Sequence, residues 1–337
     1  MKKIVTVAFV LLTAAGLIAG DVAKVGVTAA PFLTIGVGAR ATGMGGAFVG
    51  TADDASALYW NPAGIARSGD IQVLLMHTRW LADLKFNFAG FTLPLGAFGT
   101  LGASLTYLDY GEMAVRTTDQ PDGTGEIFNS SDLAVGLSYA RSLTDRFSVG
   151  FNVKYITQSI WHENADGFAI DFGTLFITGL HGLRIGATLS NFGTDMRLEG
   201  KDLLVYQDIN PNILGNNDRI PADLQTGEWA LPLTFQFGLA MEPWKSPLHR
   251  LTIAADAIHP SDNTESINLG MEYGFREMLF LRAGYRDLFL RDREQGLTLG
   301  VGLATRNLGN ALIQLDYAYA DFGRLENAQR FSFNLAF

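Results

Sequence analysis

From residue 70 onward, apolar and polar positions alternate with a period of two. In the last segment Phe331, Phe333, Leu335 and Phe337 are interleaved with Ser332, Asn334 and Ala336. Successive side chains of a strand point to opposite faces, so this spacing predicts a β-strand with one apolar and one small polar face. Leu233, Phe235, Phe237, Leu239 and Met241 repeat the pattern, as do Ile267, Leu269, Met271, Tyr273 and Phe275, and then Leu279, Leu281, Ala283 and Tyr285. Read this way, the chain predicts fourteen strands, near 70–80, 85–95, 98–109, 131–142, 146–159, 166–178, 182–191, 230–243, 248–258, 265–275, 279–287, 294–306, 310–321 and 328–337.

Alternation alone fits both a soluble all-β protein and a membrane barrel with a polar interior. The residues opposite the apolar face discriminate. Lys154, Asp256, Glu272, Arg282, Arg286 and Asp316 occupy polar faces, but many other polar-face positions are Gly, Ala, Ser, Thr or Asn. A solvated face would carry more Lys and Glu, whereas a crowded lumen suits small polar groups. Connection lengths give a second argument. The turns at 96–97, 143–145, 179–181, 244–247, 276–278 and 307–309 fall at one end, and the long connections 110–130 and 192–229 fall at the other. Short periplasmic turns opposite long outer loops, with an even strand number, are the pattern of an outer-membrane barrel. The fold class read from the residues is therefore all-β, a fourteen-stranded antiparallel transmembrane barrel over 70–337.

Composition agrees. Of 337 residues, 48% are hydrophobic and 18% charged, with a mean hydropathy of +0.15. Past residue 20 the chain lacks the run of about 20 apolar residues that a membrane helix needs. Residues 1–20 read as a secretory signal peptide: basic Lys2 and Lys3, an apolar stretch from Ile4 to Ile18, then small Ala19 and Gly20. Without the leader the charge is 23 basic against 34 acidic residues, or −11. That balance argues against a nucleic-acid partner, which requires clustered Lys and Arg. The absence of Cys excludes disulfides and thiolate chemistry.

Eight strands are filled by their own side chains and sixteen or more leave an aqueous channel, so a fourteen-stranded lumen calls for an occupant. Residues 21–69 do not alternate like strands. They carry Gly36, Gly38, Gly43, Gly45, Gly46 and Gly50 among many Ala, then Asp53, Asp54, Ser56, Trp60, Asn61, Pro62 and Gly64, with Arg40 among three bases balancing three acids. Small residues allow tight folding, and Asn61 before Pro62 is an N-cap and first-turn pair for a short helix. A compact plug is expected over 21–69. The glycines do not form a dinucleotide loop.

The run from Gly38 through Ala39, Arg40, Ala41, Thr42, Gly43, Met44, Gly45, Gly46, Ala47 and Phe48 to Val49, followed by Ala52 through Ala66, resembles the N-terminal hatch of the PorV/PorQ family, within the wider group of FadL-like outer-membrane proteins. The resemblance implies a fourteen-stranded barrel with the hatch folded inside, located in the bacterial outer membrane. Two functions are implied. PorV-like members act in type IX protein secretion, receiving substrates or holding the machinery together. FadL-like members pass hydrophobic molecules across the outer membrane. On this reading Arg40, Gly43, Gly45, Gly46, Asp53, Asp54, Trp60, Asn61, Pro62 and Gly64 are structural or gating residues of the hatch, and the six lumen charges are ion pairs such as Arg282 and Arg286 with Glu272 or Asp256. Expected partners are membrane lipid with secretion proteins, secreted substrates or hydrophobic ligands.

Two further expectations concern the outer loops and catalysis. Loop 192–229 has a net charge of −4 and loop 110–130 of −3, together −7 of the −11. The first also contains Leu203, Leu204, Val205, Tyr206, Ile209, Ile213 and Leu214, from which it is expected to pack over the barrel mouth as a contact surface. Among the histidines, only His162 has acidic neighbours close in sequence, Glu163 and Asp166. With no spaced catalytic motif, no metal set and no cofactor loop, the chain is read as neither an enzyme nor a cofactor protein.

Overall fold

The computed structural model describes residues 25–337 apart from 181, 211, 213–216, 218, 291, 292, 309 and 310. The leader expected over 1–20 lies outside the described residues. Fourteen long strands form the wall: β1 (Gln72–Arg79), β2 (Lys85–Pro94), β3 (Thr100–Ala114), β4 (Ile127–Ser142), β5 (Phe147–Ile160), β6 (Glu163–Ile177), β7 (Arg184–Gly193), β8 (Thr234–Lys245), β9 (His249–Pro260), β10 (Ser266–Phe275), β11 (Leu279–Leu288), β12 (Leu297–Leu308), β13 (Ala311–Asp321) and β14 (Asn327–Ala336). Each pairs antiparallel with its sequence neighbours, and β1 closes the ring against β14 from Gln72 opposite Ala336 to Arg79 opposite Gln329. Closure removes the sheet edges, so backbone groups in the wall are bonded without help from water, as a hydrocarbon environment requires.

The alternation in sequence becomes an alternation of faces. On β5, Phe151, Val153 and Tyr155 point outward and are exposed, while Ser148, Asn152 and Ile156 point inward and are buried. The outer surface carries Phe168, Phe172, Phe235, Leu281, Leu303 and Phe331 in the same manner. This is a wall whose outside faces lipid, the surface of a transmembrane barrel. Its height is uneven, because β3 to β6 run 14 to 16 residues whereas β1 has 8.

The interior is filled by residues 30–65, most of them fully buried. At the outer end Ala29 N–H donates to Ala230 O at 2.8 Å. At the inner end Arg67 donates to Asp145 O at 2.7 Å, in the turn between β4 and β5. The segment thus crosses the lumen, through α1 (Ala39–Gly43), α2 (Ala57–Trp60) and short 3₁₀ helices at Pro31–Thr34 and Pro62–Arg67. Its glycines allow contact with the wall. Gly45 has φ +66°, and a Cβ there would lie 2.7 Å from Leu269 O and 2.8 Å from Tyr285 N. Within the segment, a Cβ at Gly64 would meet Ala52 O at 2.3 Å.

The long outer connection carries its own short strands. Met196–Arg197 pairs with Glu228–Trp229, Glu199–Gly200 extends β6, and Leu204–Gln207 pairs with Ile220–Asp223 in a separate hairpin. Met196 and Leu231 are buried, but Leu204, Tyr206 and Ile209 are exposed, and Ile213 and Leu214 lie outside the described residues. Within the hairpin Leu203 and Val205 are half-buried, and its backbone groups are satisfied by strand pairing.

Candidate functional site: a charge network between lumen and wall

Arg40 stands at the centre of the inner half of the lumen. The short helix α1 presents it to the wall, where Nε and Nη2 donate to the two carboxylate oxygens of Glu272 on β10 at 2.9 and 3.1 Å. Its Nη1 reaches Asp53 at 2.6 Å and Asp54 at 2.9 Å within the same N-terminal segment. Burial alone would lower the Arg40 pKa, but Asp53, Glu272 and Asp54 override that effect and hold the guanidinium well above its ordinary value. The charge is therefore fixed, and the forked geometry fixes direction as well.

Glu272, itself buried, also accepts from Arg282 Nε at 2.7 Å and lies 3.3 Å from Arg250 Nη1. Arg282 passes the chain of pairs on to Asp316 at 2.6 Å, and Arg250 passes it to Glu277 at 2.8 Å in the turn between β10 and β11. Arg184 closes the other side, 3.7 Å from Asp53 and 3.4 Å from Glu242. Six wall strands, β7 to β11 and β13, and the N-terminal segment are thus held in one network. It borders an inner cavity of about 820 Å³, lined by Arg40, Asp53, Arg250, Phe280 and Arg282 among others.

Other residues anchor the segment without ion pairs. Asp256 accepts from Phe48 N–H at 2.7 Å and Val49 N–H at 2.8 Å, so it holds backbone and not an arginine. Asn61 caps the following turn by accepting from Ala63 N–H at 3.2 Å, and its amide donates to Val49 O and Thr174 O at 2.9 and 3.0 Å. Pro62 follows at the first position of that turn. Trp60 donates to Val37 O at 2.8 Å. Gly43 approaches Gly300 on β12, and Gly46, with φ +74°, lies beside Trp60. Lys154 pairs with Asp171 at 2.7 Å, a separate cluster on β5 and β6.

The sequence grouping is therefore partly redrawn. Arg282 and Glu272 do pair, but Arg286 lies away from both Glu272 and Asp256 and lines an outer cavity. His162 bonds Asp202 of the long loop at 2.8 Å, while Glu163 accepts from Asp202 N–H and Asp166 accepts from Tyr155, so the local acidic neighbours do not form a site with it. Sequence reading missed Arg250, Asp171 and Arg330. The signal was present: each alternates with large apolar residues, as Arg330 does beside Phe331.

Comparison with known proteins adds what geometry cannot. A family model described as "Type IX secretion system protein PorV" matches residues 19–203. The chain belongs to the PorV family. The PorV match spans the N-terminal segment and β1 to β7, which includes Arg40, Asp53, Asp54 and Asn61. No curated protein sequence matches the chain. Among solved structures, the chain is similar to the toluene transporter TbuX of Ralstonia pickettii (TM-score 0.53, 14% identity, covering 89% of this chain and 97% of that one). It is similar also to the toluene transporter TodX of Pseudomonas putida (0.54, 13%, 89% and 97%) and to the monoaromatic hydrocarbon channel CymD (0.55, 12%, 90% and 97%). At these identities the likeness is one of fold, which this PorV-family barrel shares from end to end.

Proposed function

We propose that this PorV-family chain is a secretion-associated outer-membrane component, binding or scaffolding proteins of a type IX system, with no catalytic role. The family match over 19–203 carries the reading. Residues 1–20 act as the export signal, 21–69 as a hatch and 70–337 as the barrel. The hatch residues Arg40, Asp53, Asp54, Asn61 and Pro62 are determinants of plug structure, not of chemistry. A lumen filled by a segment held through ion pairs supports a binding role more than an open pore.

Crosslinking in native outer membranes, followed by mass spectrometry, tests this. Recovery of secretion components, with loss of substrate export on deletion of the chain, is the expected result. Unimpaired export in the deletion strain overturns it. The second reading, passage of small hydrophobic molecules, draws on the shared fold with TbuX, TodX and CymD, and predicts reduced uptake of monoaromatics in the same strain with export intact.

A further inference from the structure

On the outward face of the wall, two cations are set side by side. Arg79 ends β1 and Lys85 begins β2; the two are register partners, and both are exposed. Like charges directly opposite each other across a strand pair are destabilising. Neither forms an ion pair among the described residues. Asp109, opposite Lys85 on β3, is turned to its own backbone and accepts from Gly111 N–H at 2.9 Å. Asp83 lies in the turn between the two strands and pairs with neither cation. Gln329, beside Arg79 on β14, brings no charge.

Two residues further into the wall on the same face, His77 Nδ1 and Asn87 Oδ1 are bonded at 2.8 Å. Tyr107 is opposite Asn87, Phe331 is opposite His77, and Tyr317 is opposite Phe331. That row is the aromatic girdle that marks the edge of the hydrocarbon layer. Here β1 and β2 stop at Arg79 and Lys85, whereas β3 to β6 rise further, so the two cations stand at the level of the outer-leaflet head groups. Below the polar pair, Ala89 is flanked by Leu75 and Leu105. Its small side chain leaves a groove of about 450 Å³ in the outer surface, lined by Leu75, Leu105, Leu315, Phe331 and Phe333, with His77 and Asn87 at its polar end. Down one strip of wall come two cations, a polar pair and an apolar groove, which is the order of groups in an anionic lipid.

We propose that this strip binds a phosphate-bearing lipid of the outer leaflet, its phosphate bridging Arg79 and Lys85, its head group meeting His77 and Asn87, and one acyl chain lying in the groove over Ala89. Phosphate offers acceptor oxygens to the guanidinium fork and the ammonium together. A fatty-acid carboxylate, with a single charge, would leave one of the two cations uncompensated. The site faces the membrane and not the lumen, and it stands whether or not the chain serves secretion.

The test uses the full chain folded in detergent, with native mass spectrometry counting the lipid retained on addition of bis-phosphorylated lipid A or of the same lipid with both phosphates removed. Saturable retention of a single phosphorylated lipid is expected, with the dephosphorylated form at least about tenfold weaker. Arg79→Gln combined with Lys85→Gln loses a similar factor, and Arg79→Lys keeps most of the affinity. Ala89→Phe fills the groove and weakens both lipids. Heat-modifiable migration of each variant on gels establishes that the barrel is folded. Equal retention of the two lipids means an apolar groove only and overturns the proposal. Retention of phosphorylated lipid that does not saturate, or that is unchanged in the double variant, means unspecific surrounding lipid and overturns it too.

Discussion

The two halves of the lumen use arginine in opposite ways. In the inner half, Arg40, Arg250 and Arg282 converge on one buried carboxylate, Glu272, and each has a second acidic partner. In the outer half, Arg330 is as deeply buried and has no such partner among the described residues, and Arg286 has only the long contact to Asp287. The inner set is complete in itself and ties the N-terminal segment to the wall. The outer set is incomplete, and beside it lies a cavity. A buried ion pair is weak evidence for net stability, but breaking one is costly. The difference therefore separates arginines whose charge is fixed in pairs from arginines whose charge has no close acidic partner among the described residues.

Substitution of Glu272 is the strongest way to break the comparison. Glu272→Gln keeps the shape but leaves three guanidinium groups sharing one fewer charge in a buried site, and is expected to cost about 3–5 kcal/mol. Urea titration of the barrel in vesicles, followed by heat-modifiable gel shift, measures it. A loss below about 1 kcal/mol would mean that water from the inner cavity screens the network, as at a surface pair, and the contrast between the halves would vanish.

The opposite sign is expected at Arg330. Removing an uncompensated buried charge relieves its desolvation, so Arg330→Met should raise the stability of the barrel by about 1–4 kcal/mol. The same titration reads it. A decrease comparable to that of Glu272→Gln would show that Arg330 is braced, and the two halves would then be alike.

How far this was legible in the sequence depends on the scale of the feature. The period of two located the wall strands to within a few residues at most ends, because lipid on one side and a crowded lumen on the other impose the alternation along each strand. The larger misses are β3 and β4, which continue to Ala114 and begin at Ile127, where the wall rises beyond the apolar band and the lipid-facing signal fades, and β8, which begins at Thr234 and not at 230. The lumen charges were readable as inward-facing, but their pairing was not. Arg282 and Glu272 are adjacent across β10 and β11, whereas Arg286, four residues along the same strand, is carried toward the outer end. Register decides such pairs, and alternation carries no register. The outer hairpin was not legible as such: strand pairing of Leu204–Gln207 with Ile220–Asp223 ties down the backbone and leaves Leu204 and Tyr206 exposed.

The smallest expected effect sharpens the inner half from its margin. Lys245 pairs with Glu242 at 3.0 Å at the periplasmic rim, yet its side chain is 68% exposed. Glu242 continues through Arg184 to Asp53, so the pair is formally part of the same network. Solvent screens an exposed ammonium and its long side chain loses entropy when held, so Lys245→Ala should cost less than about 1 kcal/mol. Measured beside Glu272→Gln in the same vesicles, the pair of values separates connection from burial. If burial sets the strength, the rim lysine contributes little although it belongs to the chain of contacts. A loss at Lys245 approaching that at Glu272 would show instead that the network acts cooperatively out to its exposed end, and that the N-terminal segment is held from the periplasmic surface as firmly as from within.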